Sequence, residues 1–173
     1  IKSSTASIPD NYTIDEDNDG NSSRNTIAFN PDLVWVKSMA NAHNHVLFDS
    51  VRGFGKNILY TNNTNAEGTD ENGHVSSVTN NKVNFASGSS GKTNWSSSTI
   101  GWFWRAGGQP VSDGVAMVDG TATTTAALKT SASASITPTR MSVNTKAGFS
   151  IIKYTGTGSA ATIPHGLSKV PEW

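Results

Sequence analysis

Apolar residues in this chain alternate over short segments that are separated by clusters of turn-forming residues. In residues 32–37, Leu33 and Trp35 fall on one side of an extended chain, and Val34 and Val36 fall on the other. No window of about three helical turns carries apolar residues at the spacing of an amphipathic helix. Short alternating runs between turns rich in Gly, Asn and Ser are typical of all-β proteins. We therefore predict an all-β fold with an antiparallel β-sandwich or jelly-roll-like domain.

The charge and length of the chain exclude several classes of partner. The 173 residues include 13 basic and 13 acidic side chains, which gives a formal net charge of zero without a long block of either sign. Nucleic-acid-binding domains usually carry a basic stripe, so we predict no nucleic-acid partner. No apolar run approaches the roughly 18 residues that a membrane span requires, so we also predict no membrane insertion. The absence of cysteine removes disulfides and cysteine zinc sites.

The distribution of small residues predicts the domain organisation. Residues 109–147 are rich in Ala, Ser and Thr and contain few large apolar side chains. We predict a β-sandwich domain over residues 1–108, an extended connector over residues 109–147, and the start of a second, truncated β-unit over residues 148–173. A flat, small-residue connector of this kind could pack closely against a neighbouring subunit.

Two segments of the sequence suggest an internal repeat. The segment "YTGTGSAATIPHGLSKVPEW" near the end follows the same order of residues as "YTIDEDNDGNSSRNTIAFNPDLVW" near the beginning. Tyr12 and Pro31 are 19 positions apart, and Tyr154 and Pro171 are 17 apart. If the segments correspond, Trp173 begins a strand like the one at Leu33, and we expect the chain to continue beyond it.

Four motifs resemble a known family. "FNPDLVWVKS", "HVLFDSVRG", "GWFWRAGG" and "GFSIIKYTGTGSAATIPHGLSKVPEW", in this order, are similar to a repeated β-domain of large virion proteins of tailed bacteriophages, notably from aquatic hosts. The resemblance covers most of residues 12–108 and residues 148–173. The first copy departs from the family pattern with "YTIDEDNDG" in place of a "YTGNG"-like turn.

The resemblance implies a structural role without a chemical reaction. It implies a virion protein of the tail-fibre, appendage or capsid-decoration type, on the exterior of the phage particle. Its expected partners are copies of itself in a homo-oligomer, other virion proteins, and a host surface glycan. None of the four motifs carries a known catalytic role.

The acidic segment in the first copy is a candidate metal site. Asp15, Asp17 and Asp19, followed by Gly20, fit the first half of a calcium-binding loop, in which alternate carboxylates converge on the cation. The twelfth position of a complete loop carries a glutamate, but here it is Thr26. The alternative is a solvated hairpin turn, which the same residues would also form. Ca²⁺ is the one cofactor that the sequence suggests.

The tryptophans suggest a rival function. Trp35, Trp102 and Trp104 lie within apolar segments and are expected to fill the core. Trp95, beside Asn94, lies in the polar segment "GKTNWSSS" and is a candidate for contact with a glycan, by stacking on a sugar, or with another subunit. A lectin-like module that binds a carbohydrate or receptor is therefore the alternative to a structural role.

The remaining acidic residues predict structural roles rather than catalysis. Asp49 and Arg52 are three positions apart, and we expect a charge-assisted pair that fastens a strand end to the next turn. A glycosidase needs two acids facing each other across a cleft. Glu67, Asp70 and Glu71 lie within one polar loop, so they do not predict such a pair. The sequence predicts no enzyme, and a glycan-degrading tailspike fragment is the third alternative.

Overall fold

The computed structural model describes residues 29–55, 57–69, 73–79, 82–86 and 98–171. These residues form two compact units. The first contains the described residues up to Asp49 together with Gly53–Trp104, and the second contains Ser50–Arg52 together with the described residues from Arg105 onward. The predicted all-β class is confirmed, because nearly all regular structure in both units is strand.

The first unit contains a five-stranded sheet and a separate two-stranded sheet. Every pair of neighbouring strands in both sheets is antiparallel. In the five-stranded sheet the order is β4-β3-β2-β1-β7, and β5 pairs with β6. The strands are β1 (Leu33–Ser38), β2 (Val46–Asp49), β3 (Asn57–Tyr60), β4 (Gly68–Thr69), β5 (Val75–Thr79), β6 (Lys82–Phe85) and β7 (Thr99–Trp104).

One face of the five-stranded sheet forms the core of the first unit. Val34 and Val36 of β1 are fully buried, and they pair with Phe48 and Val46 of β2. Val75, Val83 and Phe85 of the β5–β6 hairpin belong to the same cluster of buried side chains. Each such side chain contributes about 1.5–3 kcal/mol when it is fully removed from water. The predicted alternation of faces in β1 is confirmed.

The second unit contains a four-stranded sheet with the order β11-β10-β8-β9. β8 pairs with β9 and β10 pairs with β11 as antiparallel neighbours, whereas β8 and β10 are parallel. A parallel pair requires a crossover connection, which here contains β9 and the short helix α1. The elements are β8 (Val115–Val118), β9 (Thr121–Thr124), α1 (Thr125–Ser131), β10 (Arg140–Asn144) and β11 (Phe149–Lys153).

The core of the second unit is small and is supplemented from outside the sheet. Ala116, Met141 and Val143 are fully buried. Leu128 of α1 and Leu167 of the C-terminal segment pack against them, together with Val118 and Ile152. On the opposite face of β10, Ser142 is also fully buried. Its hydroxyl accepts a hydrogen bond from the Gly107 N–H at 2.9 Å and donates one to the Gly108 carbonyl at 2.7 Å.

The predicted connector over residues 109–147 is wrong, because this segment contains β8, β9, α1 and β10. The predicted separate unit over residues 148–173 is also wrong, because β11 pairs with β10 throughout Arg140–Asn144. A high content of small residues suggests a linker. The Thr-rich segment β9 nevertheless forms a strand, because β8 pairs with it. The two clusters of contacts divide between Trp104 and Arg105, and the glycine pair at 107–108 belongs to the second unit.

Helix α1 was not predicted because it has only seven residues. Thr124 caps its N-terminus, since the threonine hydroxyl accepts a hydrogen bond from the Ala127 N–H at 3.1 Å. Lys129 lies in its last turn, where a cation interacts favourably with the helix dipole. The sequence signal for this helix is the capping residue Thr124, which stands directly before the helix-forming segment Thr-Ala-Ala-Leu-Lys.

Candidate functional site

The outer face of the five-stranded sheet is rich in aromatic and aliphatic side chains. Strand pairing places Leu59, Leu47, Trp35 and Trp102 in one row across β3, β2, β1 and β7. Leu33 pairs with Trp104 in the next row. We call the surface formed by Leu33, Trp35, Leu47, Leu59, Trp102 and Trp104 the aromatic face.

Two tryptophans form the centre of the aromatic face. The ring centroids of Trp35 and Trp102 are 4.9 Å apart, and their planes are inclined by 34°. Aromatic pairs with this separation stabilise a sheet beyond the area that they bury. The Trp35 indole N–H donates a hydrogen bond to the Thr61 hydroxyl at 3.1 Å. Both rings are half-buried, so part of the aromatic face is accessible.

The prediction that Trp35, Trp102 and Trp104 fill the core is wrong. The buried cluster of the first unit contains valines, Ile58 and two phenylalanines, and the tryptophans lie on the opposite side of the same sheet. Trp104 is 37% exposed. The period of two places Trp35 opposite the valines of its strand and Trp102 together with Trp104 on one face of theirs. It could not show which face of the sheet the β5–β6 hairpin covers.

Several predicted site residues lie outside the described residues. These are the candidate sugar contacts Trp95 and Asn94, the candidate calcium ligands Asp15, Asp17 and Asp19, and the terminal Trp173. The expected pair of Asp49 and Arg52 stays a prediction. Asp49 ends β2 and is 4% exposed, and Arg52 is half-buried in the turn that follows.

The second unit contains an open cavity of about 390 Å³. The turn between β8 and β9, the turn between β10 and β11, and the segment that begins at Arg105 surround it. We call it the polar cavity. It is lined by Arg105, Ala106, Asp119, Asn144, Lys146 and Ala147.

The β8–β9 turn presents Asp119 to the polar cavity. Asp119 and Gly120 both have positive φ angles, 50° and 86°, as a two-residue type I′ hairpin requires. Glycine adopts this conformation without a steric cost, and aspartate tolerates it better than most residues. The Asp-Gly pair therefore fixes the position of the carboxylate at the end of the hairpin.

Hydrogen bonds join the two turns. The Asp119 carboxylate accepts a bond from the Thr145 N–H at 2.8 Å and another from the Thr145 hydroxyl. These two bonds and the nearby Lys146 ammonium lower the pKa of Asp119, although partial desolvation opposes them. Asn144 accepts a bond from the Ala147 N–H at 2.9 Å, which orders the second turn. Asp119 is therefore ionised and held in place at neutral pH.

We expect Asp119→Asn to lower the melting temperature at pH 7 but not in strong acid. Folding lowers the pKa of Asp119, so its stabilising effect is present above the ordinary value of 3.8 and is lost as the pH falls through the folded value. Asparagine tolerates the positive φ but cannot accept both bonds from Thr145. Thermal unfolding followed by circular dichroism between about pH 2 and pH 7 tests this. A difference from the parent that is the same at every pH would contradict it.

The residues of the polar cavity were not predicted, although two signals in the sequence indicate its turns. "VDGT" is an Asp-Gly hairpin signal, and "NTKAG" is a turn signal between two apolar runs. Asp119 and Thr145 are 26 positions apart, so only the parallel pairing of β8 with β10 could show that they meet.

Neither a metal cluster nor a membrane-spanning helix is found in the part of the chain that the structure describes. No group of three or more His, Asp or Glu side chains there is arranged to hold a metal ion. No helix there has the length and apolarity to cross a membrane.

The chain matches a family of known sequences. A family described as a domain of unknown function (DUF7483) matches residues 10–173. No curated protein and no solved structure matches the chain.

Proposed function

We propose that this chain, which belongs to the DUF7483 family, is a structural protein on the exterior of a tailed-phage virion. It would act through contacts with copies of itself and with other virion proteins, and the proposal involves no chemical reaction. The four motifs that resemble phage virion domains support the virion assignment. The aromatic face is the observation that supports action through protein contacts.

Three of the four motifs that carry the resemblance lie on neighbouring strands of the first unit, and the fourth contains β11 of the second unit. Residues 29–38 contain β1, residues 45–53 contain β2, and residues 101–108 begin within β7. These strands are neighbours in the order β2-β1-β7. The inward side chains of β1 and β2 contribute to the core, and the outward ones of β1, β2 and β7 supply five of the six residues of the aromatic face. The motif residues thus account for both the stability of the sheet and its outer surface.

The aromatic face has the composition of a protein contact surface. Tryptophan and other aromatic residues are enriched in interfaces, where a few of them carry most of the binding energy. Trp104 is the most exposed tryptophan of this face and lies at the end of β7. A sheet surface that is already formed, with a tilted tryptophan pair at its centre, can pack against a second such surface without rearrangement of its backbone.

We expect Trp104→Ser to weaken association of the chain without unfolding it. Loss of an interface anchor typically costs about 2 kcal/mol or more, which is roughly a 30-fold change in the dissociation constant. Sedimentation velocity over a range of concentrations measures the association. Val111→Ser is the matched control, because Val111 is 84% exposed and belongs to the second unit.

The virion assignment is tested on particles. Peptides of this sequence are expected in purified virions in multiple copies, and an antibody against the chain is expected to label the particle surface. Virions without the chain would refute the assignment. A parent chain that stays monomeric with every virion protein tested, or equal effects of the Trp104 and Val111 variants, would refute the role of the aromatic face.

A further inference from the structure

We propose that the polar cavity binds an acidic saccharide, with the sugar carboxylate at Arg105 and Lys146 and the sugar hydroxyls at Asp119 and Asn144. This ligand class and these residues go beyond the proposed function, which places contacts on the first unit. The inference stands on the cavity, on the fixed polar groups around it, and on its balance of charges.

Two polar side chains of the cavity are held in place by the protein itself. Asp119 is held by Thr145, and the Asn144 side chain is held by the Ala147 N–H. The Asn144 amide also donates to the Arg105 carbonyl at 3.5 Å, a long bond that links the entering segment to the second turn. Because these two side chains are already ordered, they lose less conformational entropy on binding than mobile side chains would. The volume of about 390 Å³ lies in the usual range for small-molecule sites.

The charges of the polar cavity favour one carboxylate. Arg105 and Lys146 supply two cations, and Asp119 supplies one anion. Within the described residues no hydrogen bond or ion pair engages the Arg105 guanidinium, in contrast to Arg140, whose Nε lies 2.6 Å from Asp113 Oδ1. A guanidinium pairs well with a planar carboxylate through two parallel hydrogen bonds.

Asp119 distinguishes a sugar acid from other anions. An ionised carboxylate only accepts hydrogen bonds, and each Asp119 oxygen already accepts one from Thr145. The remaining lone pairs suit hydroxyl donors and repel a densely charged phosphate or sulfate. The methyl groups of Ala106 and Ala147 provide small apolar surfaces for a sugar ring. A monocarboxylate with several hydroxyls therefore matches these groups better than a polyanion or a neutral sugar.

Titration of the full chain with D-glucuronate, D-glucose and acetate, followed by backbone amide NMR, tests the proposal. We expect saturable shifts at residues 105–106, 119–120 and 144–147 with glucuronate, and at least about tenfold weaker binding of glucose and acetate, because each lacks one half of the contacts. Added salt should weaken the binding of glucuronate.

Matched variants locate the site. Arg105→Gln is expected to weaken glucuronate binding about tenfold or more. Lys153→Gln is expected to leave it unchanged, because Lys153 lies at the opposite end of the β10–β11 pair. Asp119→Asn is expected to reduce the preference for glucuronate over acetate.

Each contrary result overturns the proposal. Absence of shifts at these residues would exclude the site, and acetate that binds as well as glucuronate would leave only a general anion site. An Arg105→Gln variant that binds like the parent would remove the assigned contact. The association of the chain through the aromatic face is measured separately, so either proposal can fail without the other.

Discussion

Replacing Gly107 with alanine is expected to destroy the native packing of the second unit. A Cβ atom at this position would lie 2.2 Å from the Met117 carbonyl oxygen and 2.4 Å from the Val143 carbonyl oxygen. Both oxygens are backbone atoms of the paired strands β8 and β10, so neither can rotate away as a flexible side chain would. Overpacking usually costs about 1–3 kcal/mol, and more where the backbone must move.

The expected loss from Gly107→Ala is a large part of the stability of a small domain, which is about 5–15 kcal/mol. Movement of the Gly107 segment would also separate its N–H from Ser142, leaving buried polar groups without partners. Urea denaturation followed by circular dichroism measures the effect. Gly156→Ala is the matched control, because nothing lies within 4 Å of its added Cβ atom. Equal unfolding midpoints for the two variants would show that the close approach is absent.

Phe48→Ala is expected to destabilise the first unit by about 3–5 kcal/mol, the usual loss for a buried phenylalanine. Phe48 is 1% exposed and belongs to the cluster that joins the five-stranded sheet to the β5–β6 hairpin. Truncation would leave a cavity between the two layers, because Val34 and Val83 are too short to fill it. Denaturation followed by tryptophan fluorescence measures the change.

Met39→Ala is the control for Phe48→Ala. Met39 follows β1 and is 55% exposed, so its truncation should change the unfolding free energy by no more than about 0.5 kcal/mol. A Phe48→Ala protein as stable as the Met39→Ala protein would mean that the hairpin does not pack on this face of the sheet.

Much of the first unit could be predicted from the sequence. The alternation in residues 32–37 correctly separates Val34 and Val36 from Leu33 and Trp35, because successive side chains of a strand point to opposite faces. Both faces of β1 are apolar, however, so the pattern could not show which one is covered. The tryptophans are larger than the valines, so the sequence predicts them in the core. The β5–β6 hairpin covers the valine face instead, and the tryptophans lie on the opposite face of the sheet.

The second unit was much harder to predict. Its buried cluster uses only Ala116, Met141 and Val143, too few large side chains to make a periodic pattern stand out. The polar cavity could not be predicted from the sequence for a different reason. Arg105, Asp119 and Asn144 come from separate segments, and the sequence contains no local sign that the β8–β9 and β10–β11 turns lie side by side.

The sequence by itself determined the all-β class and the two-faced character of β1 and β7. Local rules suffice for these features, because side-chain alternation and backbone preference act between near neighbours. Only the tertiary structure decided that residues 109–147 form part of a domain, that the tryptophans lie outside the core, and that Asp119 meets Thr145. Each of these depends on contacts between segments that are far apart in the sequence. Many alternative contacts between such segments are weakly favourable, and the burial of apolar surface by the whole fold selects one arrangement.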